Sequence, residues 1–138
     1  MKTRAKTLLL VPVLAFLLAG CEGGEFARSI QLTNQYREAH GVHVVLNNAT
    51  LQAKAQNWAE VLAAEGRLVH SNLAEGAGGG WHALGENLAM ASSIDEAQQL
   101  FVNSPSHRRT LVSSRYNQVG VGVATRGGRY YVVQVFGG

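Results

Sequence analysis

The stretch "QVGVGVATRGGRYYVVQVFGG", Gln118 to Gly138, decides the fold class. Valine and aromatic residues alternate on both sides of Arg126–Gly128, which predicts two strands joined by a tight turn into an antiparallel hairpin. Periodic segments upstream carry the helical repeat instead. "VNSPSHRRTLV", Val102 to Val112, reads as a helix restart: Asn103 or Ser104 caps it, Pro105 takes the first position, and His107 falls in the first turn. Before it, "SIDEAQQLFVN" has Ser93 and Glu96 at capping-box spacing, with Ile94, Ala97, Leu100 and Phe101 apolar.

Further out, "LQAKAQNWAEVLAAEG" places Leu51, Ala55, Trp58, Ala59, Leu62 and Ala63 on one helical face. Asn48 or Thr50 caps its start and Gly66 its end. "FARSIQLTNQYREAH" predicts an earlier helix with Phe26, Ile30, Thr33 and Arg37 in line, stopped at Gly41, and "VHVVLNNAT" predicts an extended connector. Arg67 to Ala91 is glycine-rich and nearly without period, so it reads as a long irregular surface loop of the kind that often carries function. It does not cradle phosphate, because it lacks a lysine and does not run directly into a helix. Helices, loop, helices and hairpin make an α+β layered domain.

Residues 1–20 form a leader: Lys2, Arg4 and Lys6 precede the apolar run "TLLLVPVLAFLLAG". Leu18, Ala19 and Gly20 stand before Cys21, the chain's single cysteine, and resemble a bacterial lipoprotein signal. The expectation is an acylated Cys21 with a short tether over residues 21–27, a folded domain over 28–138, and a membrane as partner through the acyl chains. Glu22 is not the aspartate associated with inner-membrane retention, which places the protein in the cell envelope, at the outer membrane if the source is Gram-negative. Removing Lys2, Arg4 and Lys6 takes the formal charge from +3 to about zero. A neutral domain with scattered arginines offers no electrostatic footprint for nucleic acid, which is excluded as a partner.

The five histidines are His40, His43, His70, His82 and His107. No zinc-protease, paired-cysteine or serine-elbow motif accompanies them, and His40 and His43 read as surface or capping residues. "VHSN" (69–72), "GENLA" (85–89), "NSPSHRRTLV" (103–112), the final hairpin and "LTNQYREAHGV" (32–42, with Asn34 and Arg37) together resemble the CAP superfamily, or SCP domain. The resemblance spans about residues 28 to 137. It implies an α-β-α sandwich with a small antiparallel sheet between helices and a central cleft. The family's cleft histidines match His70 and His107, and its glutamate matches Glu86. The position of a further family glutamate holds a small polar residue near Asn103 or Ser104, and Phe101 stands where tryptophan is usual.

The resemblance leaves three readings of His70, Glu86 and His107. They hold zinc or another divalent cation with an open position, they form a metal-free cluster that touches a ligand, or they brace the glycine loop. The helix N-terminus, Arg108 and Arg109 are expected to keep His107 neutral at pH 7, with Glu86 opposing. Arg108 is expected to salt-bridge its helix to the sheet, and Trp58 to be core. Trp81 either shields the cleft or contacts the ligand, and one of Tyr130 and Tyr131 is buried. The functional expectation is binding of a small lipid-like or cell-wall ligand; the alternative is a metal-assisted hydrolase or protease. Ser71 and Ser106 adjoin the histidines but are expected to point elsewhere.

Overall fold

The computed structural model describes residues 22–138. The leader and Cys21 lie outside the described residues. Eight elements follow: α1 (Glu22–Ala39), β1 (Leu46–Asn47), α2 (Ala49–Glu65), β2 (Leu84–Ala91), α3 (Ile94–Asn103), α4 (Pro105–Leu111), β3 (Gln118–Arg126) and β4 (Arg129–Gly137). Helix α1 opens at Glu22, so residues 22–27, expected as a loose tether, are helical.

The hairpin forms as its alternation predicts, with Val132 opposite Val123 and Gly127 and Gly128 both at positive φ in the turn. The strand order is β1-β3-β4-β2. Two features depart from the expected small antiparallel sheet. Leu84–Ala91, read as part of the loop, is an eight-residue strand pairing antiparallel with β4. Leu46–Asn47, in the extended connector, adds a two-residue strand parallel to β3. Both faces of β2 are buried, so no polar alternation marks it, and Glu86 and Asn87 interrupt the apolar run that would have done so instead.

The sheet separates two cores. On one side α2 contributes Leu51, Ala55, Ala59 and Leu62 against Leu88, Tyr131, Val133 and Val135. On the other, α3 and α4 pack Ile94, Ala97, Phe101 and Leu111 against Val119, Val121, Val132 and Phe136, with Phe26, Ile30 and Tyr36 of α1 half-buried beside them. Tyr131 is buried in the first core and Tyr130 is half-buried against the second, as alternation requires. Asn48 caps α2 by accepting from the Leu51 amide at 3.0 Å, and Gly66 ends it at φ 70°.

Helix α2 lies unusually close to β3. A Cβ on Gly120 would stand 2.0 Å from the Leu51 carbonyl carbon, and one on Gly122 would stand 2.2 Å from that of Ala55. Beyond β1 the outer edge of β3 is met by α2 itself: the Gln56 side chain donates to the Val123 carbonyl at 3.0 Å and accepts from its amide at 2.9 Å. Arg126 donates to the carbonyls of Ala63 and Ala64 at the helix end.

The buried face of α1 is polar along its centre, through Ser29, Thr33 and Arg37. The Gln134 amide of β4 donates to Ser29 Oγ at 3.2 Å and Thr33 Oγ1 at 2.9 Å. Arg37, fully buried, donates to the carbonyls of His43, Leu111, Ser113 and Tyr116. Asn34 pairs with both backbone groups of Val45. These contacts tie α1 to the segments entering β1 and β3.

Gly122→Ala is expected to lower stability by about 3 kcal/mol, because the obstructing atoms are backbone and cannot swing away. Gly79→Ala, which meets nothing within 4 Å, should stay within about 0.5 kcal/mol of the parent. Urea unfolding of both variants checks the pair.

Candidate functional site

Glu86 lies on β2, and its side chain faces the α2 side of the sheet because β2 alternates. The carboxyl is 1% exposed. It accepts from His70 Nδ1 at 2.7 Å, from the Ser71 amide at 2.9 Å and from Ser71 Oγ at 2.6 Å. Ser71 therefore does not point away from the site: it and His70 converge on one carboxyl group. The His70 ring is 66% exposed, and its contact with Glu86 leaves Nε2 on the free side.

Beneath Ser71 lies a residue the sequence pattern did not single out. Lys54 of α2 is only 8% exposed, and its ammonium donates to Ser71 Oγ at 3.1 Å and to the carbonyls of Asn72 and Glu75 at 2.8 Å each. Burial pushes its pKa down, with Glu86 and Glu75 pulling the other way. The chain Lys54–Ser71–Glu86–His70 joins α2, the loop and β2. One hint was present: Lys54 falls three residues after Leu51 and one before Ala55, at the edge of the buried stripe.

His107 sits across β2, on α4. Its carbonyl accepts from Asn87 Nδ2 at 3.2 Å, and its ring meets Phe101 edge-on with centroids 5.5 Å apart. His107 Nδ1 and Asn87 Oδ1 are buried without partners. The His107 pKa is lowered from 6.5, first by burial and then by the field of His70. The expected direction holds, but Arg108, Arg109 and Glu86 are not among the causes. The expected three-membered cluster is thus a bonded pair, His70 and Glu86, with His107 within electrostatic reach of His70.

This arrangement bears on metal. Zinc sites use three or four protein ligands. Among the described residues no three His, Cys, Asp or Glu side chains are grouped to hold an ion. Glu86 already accepts three hydrogen bonds and orients the imidazole instead of standing beside it as a ligand. The residues do not fit the metal set considered from the sequence.

The remaining expectations resolve individually. Trp81 covers Gly137 with its ring and donates from Nε1 to the Ala77 carbonyl at 2.8 Å, bracing the glycine loop. Trp58 is half-buried, not core, and donates to the Val69 carbonyl at 2.8 Å. Arg108 makes no salt bridge to the sheet; it donates to the Val102 carbonyl at the end of α3. His40 contacts the Tyr36 carbonyl and His43 that of Tyr116, both in bracing roles. The described residues also line two cavities. One of about 230 Å³ lies between α2 and the 71–76 loop, and one of about 320 Å³ lies between α1 and α4, lined by Tyr36, His40, Pro105, Arg108, Arg109 and Val112.

Comparison with known proteins accords with this geometry. The model of the cysteine-rich secretory protein family (CAP) matches residues 30–136. An extracellular SCP-domain protein of Bacillus anthracis superposes with a TM-score of 0.75 at 23% identity, over 92% of this chain and 44% of that one. An outer surface protein of Borrelia burgdorferi gives 0.76 at 17% identity, over 83% and 92%. A cysteine-rich secretory protein of Staphylococcus aureus gives 0.71 at 20% identity, over 86% and 40%. At these identities the superpositions speak for the fold alone. The chain spans less than half the length of the Bacillus and Staphylococcus proteins. No curated protein matches the sequence.

Two measurements check the site. Lys54→Met should cost about 2–3 kcal/mol and speed hydrogen exchange of the amides from Ser71 to Ala77, since three charge-assisted bonds are lost. In an NMR titration His107 should protonate with a midpoint below 6.5. Its contribution to stability is then complete above pH 6.5 and lost as pH falls from there through the lowered folded value.

Proposed function

The chain belongs to the cysteine-rich secretory protein (CAP) family, and from that premise we propose that it is an envelope-anchored binding domain acting outside the cytoplasm. The leader and the lipoprotein-like signal before Cys21 support the anchor and the location. The extracellular and outer-surface relatives point the same way. The ligand is a small lipid-like or cell-wall molecule, met by the exposed ring of His70 and by His107.

The observation that carries binding over hydrolysis is the wiring of Ser71. A serine nucleophile needs its hydroxyl proton aimed at a base such as imidazole. Here Ser71 Oγ donates to Glu86 and accepts from Lys54, and His70 contacts Glu86 separately, so serine and histidine act in parallel on one carboxyl group. No relay runs from one to the other. Between the two ligand classes, the cavity between α1 and α4, lined by neither His70 nor His107 but by Arg108 and Arg109, which follow His107 in the chain, supports an amphipathic molecule. Tyr36, Pro105 and Val112 supply apolar wall, and Arg108 and Arg109 supply positive charge for an anionic head.

The test is thermal unfolding of the full chain with lysophosphatidylglycerol and, separately, with a soluble muropeptide. At a hundred times its dissociation constant the true ligand class adds about 2.7 kcal/mol, and the shift should shrink in His70→Ala. Hydrolysis of either probe that disappears in Ser71→Ala would replace this reading with the enzymatic one.

A further inference from the structure

The cavity between α2 and the loop from Ser71 to Gly76 has a division of labour among its walls that points to a ligand class. Its floor is saturated. Lys54 spends its bonds on Ser71, Asn72 and Glu75, and Ser71 Oγ spends its proton on Glu86. The indole nitrogen of Trp58 is likewise committed, to the Val69 carbonyl, so the ring offers carbon surface to the cavity. Val61 stands beside it, and Val61, Leu68 and Val69 are among the large apolar residues left exposed on this part of the molecule. Against that apolar wall stand three side chains with no side-chain partner among the described residues: the amides of Asn57 and Asn72 and the carboxyl of Glu75.

Each alternative occupant meets an obstacle. An acyl chain would lie against the two amides and the carboxyl group and leave them without partners. An anion would face Glu75 with the ammonium of Lys54 already spent. A metal ion would lack ligands, since no three suitable side chains are grouped among the described residues. A neutral ring carrying hydroxyls meets all the walls at once. Its C–H face lies on indole and valine, while its hydroxyls donate to the carboxyl group and exchange bonds with the two amides.

We propose that the cavity bounded by Asn57, Trp58, Val61, Asn72 and Glu75 is a saccharide subsite that takes one pyranose ring of a neutral glycan. It is separate from the ligand contact at His70 and His107 and stands whether or not that reading holds. Lys54 and Ser71 are common to both places, through the bond of Ser71 to Glu86.

The experiment is calorimetric titration of the full chain, held in a lipid nanodisc free of sugar detergents, with fully N-acetylated chitotriose and with cellotriose, both neutral. One of the two should bind saturably, and Asn57→Ala and Glu75→Ala should each weaken it about tenfold, the effect of losing one well-made hydrogen bond. Both positions are exposed, so the fold should survive their truncation. His70→Ala should leave the saccharide affinity unchanged. A flat titration with both trisaccharides overturns the proposal. So does binding that His70→Ala weakens while the two truncations leave it intact. Neither result touches the lipid-binding test above.

Discussion

Helix α2 meets strand β3 backbone to backbone, and that approach sets the geometry of one whole side of the molecule. It requires a hydrogen atom in place of a side chain at Gly120 and Gly122, where even a methyl group would enter the space of the Leu51 and Ala55 carbonyl carbons. Alanines at 55 and 59 keep the helix side equally thin. The gain is twofold. Leu51 and Leu62 are fully buried, each worth about 1.5–3 kcal/mol relative to an exposed position. The Gln56 amide also comes near enough to pair with Val123 as an adjoining strand would. The same seating carries Lys54 under the loop, so the order of the candidate site depends on two glycines that never touch it.

Two buried cations then fasten what regular structure does not reach. Arg37 lies on one side of the sheet and Lys54 on the other, and both donate chiefly to backbone carbonyls of irregular chain or a helix end: His43, Leu111, Ser113 and Tyr116 for Arg37, Asn72 and Glu75 for Lys54. Carbonyls in such segments have no helix or strand partner, and leaving them buried without donors costs more than a typical hydrogen bond contributes. Burial lowers the pKa of both cations. Each therefore gives up part of its hydration, offset by several charge-assisted bonds. A neutral amide in either place has too few donors for three or more acceptors at once.

This division explains what the sequence made legible. Elements set by local rules were readable: the hairpin by alternation around Gly127 and Gly128, α2 by its period and its cap at Asn48, α3 by Ser93, and α4 by Pro105. Residues whose role is non-local were not. Strand β2 is buried on both faces and carries Glu86 and Asn87 in mid-run, so neither strand signature marks it. A lysine on an amphipathic helix ordinarily faces water; only the loop folding over α2 gives Lys54 its three acceptors. His70, Glu86 and His107 were legible as residues through the family pattern, whereas their partition across β2 follows from the alternation of a strand the pattern had not revealed.

That partition limits the chemistry open to the pair. Glu86 and Asn87 are consecutive and point to opposite faces, one toward His70 and Ser71, the other toward the His107 carbonyl. A carboxyl group holding three short bonds has most of its acceptor positions filled, and shifting toward a substrate would release Ser71 from its place above Lys54. The network therefore resists the movement that general-base catalysis demands of Glu86. What it does well is hold one imidazole at a fixed angle with its far nitrogen outward, while His107 stays in its neutral form nearby. Fixed polar groups lower the ordering cost of recognition, and the binding role proposed above draws on that rigidity.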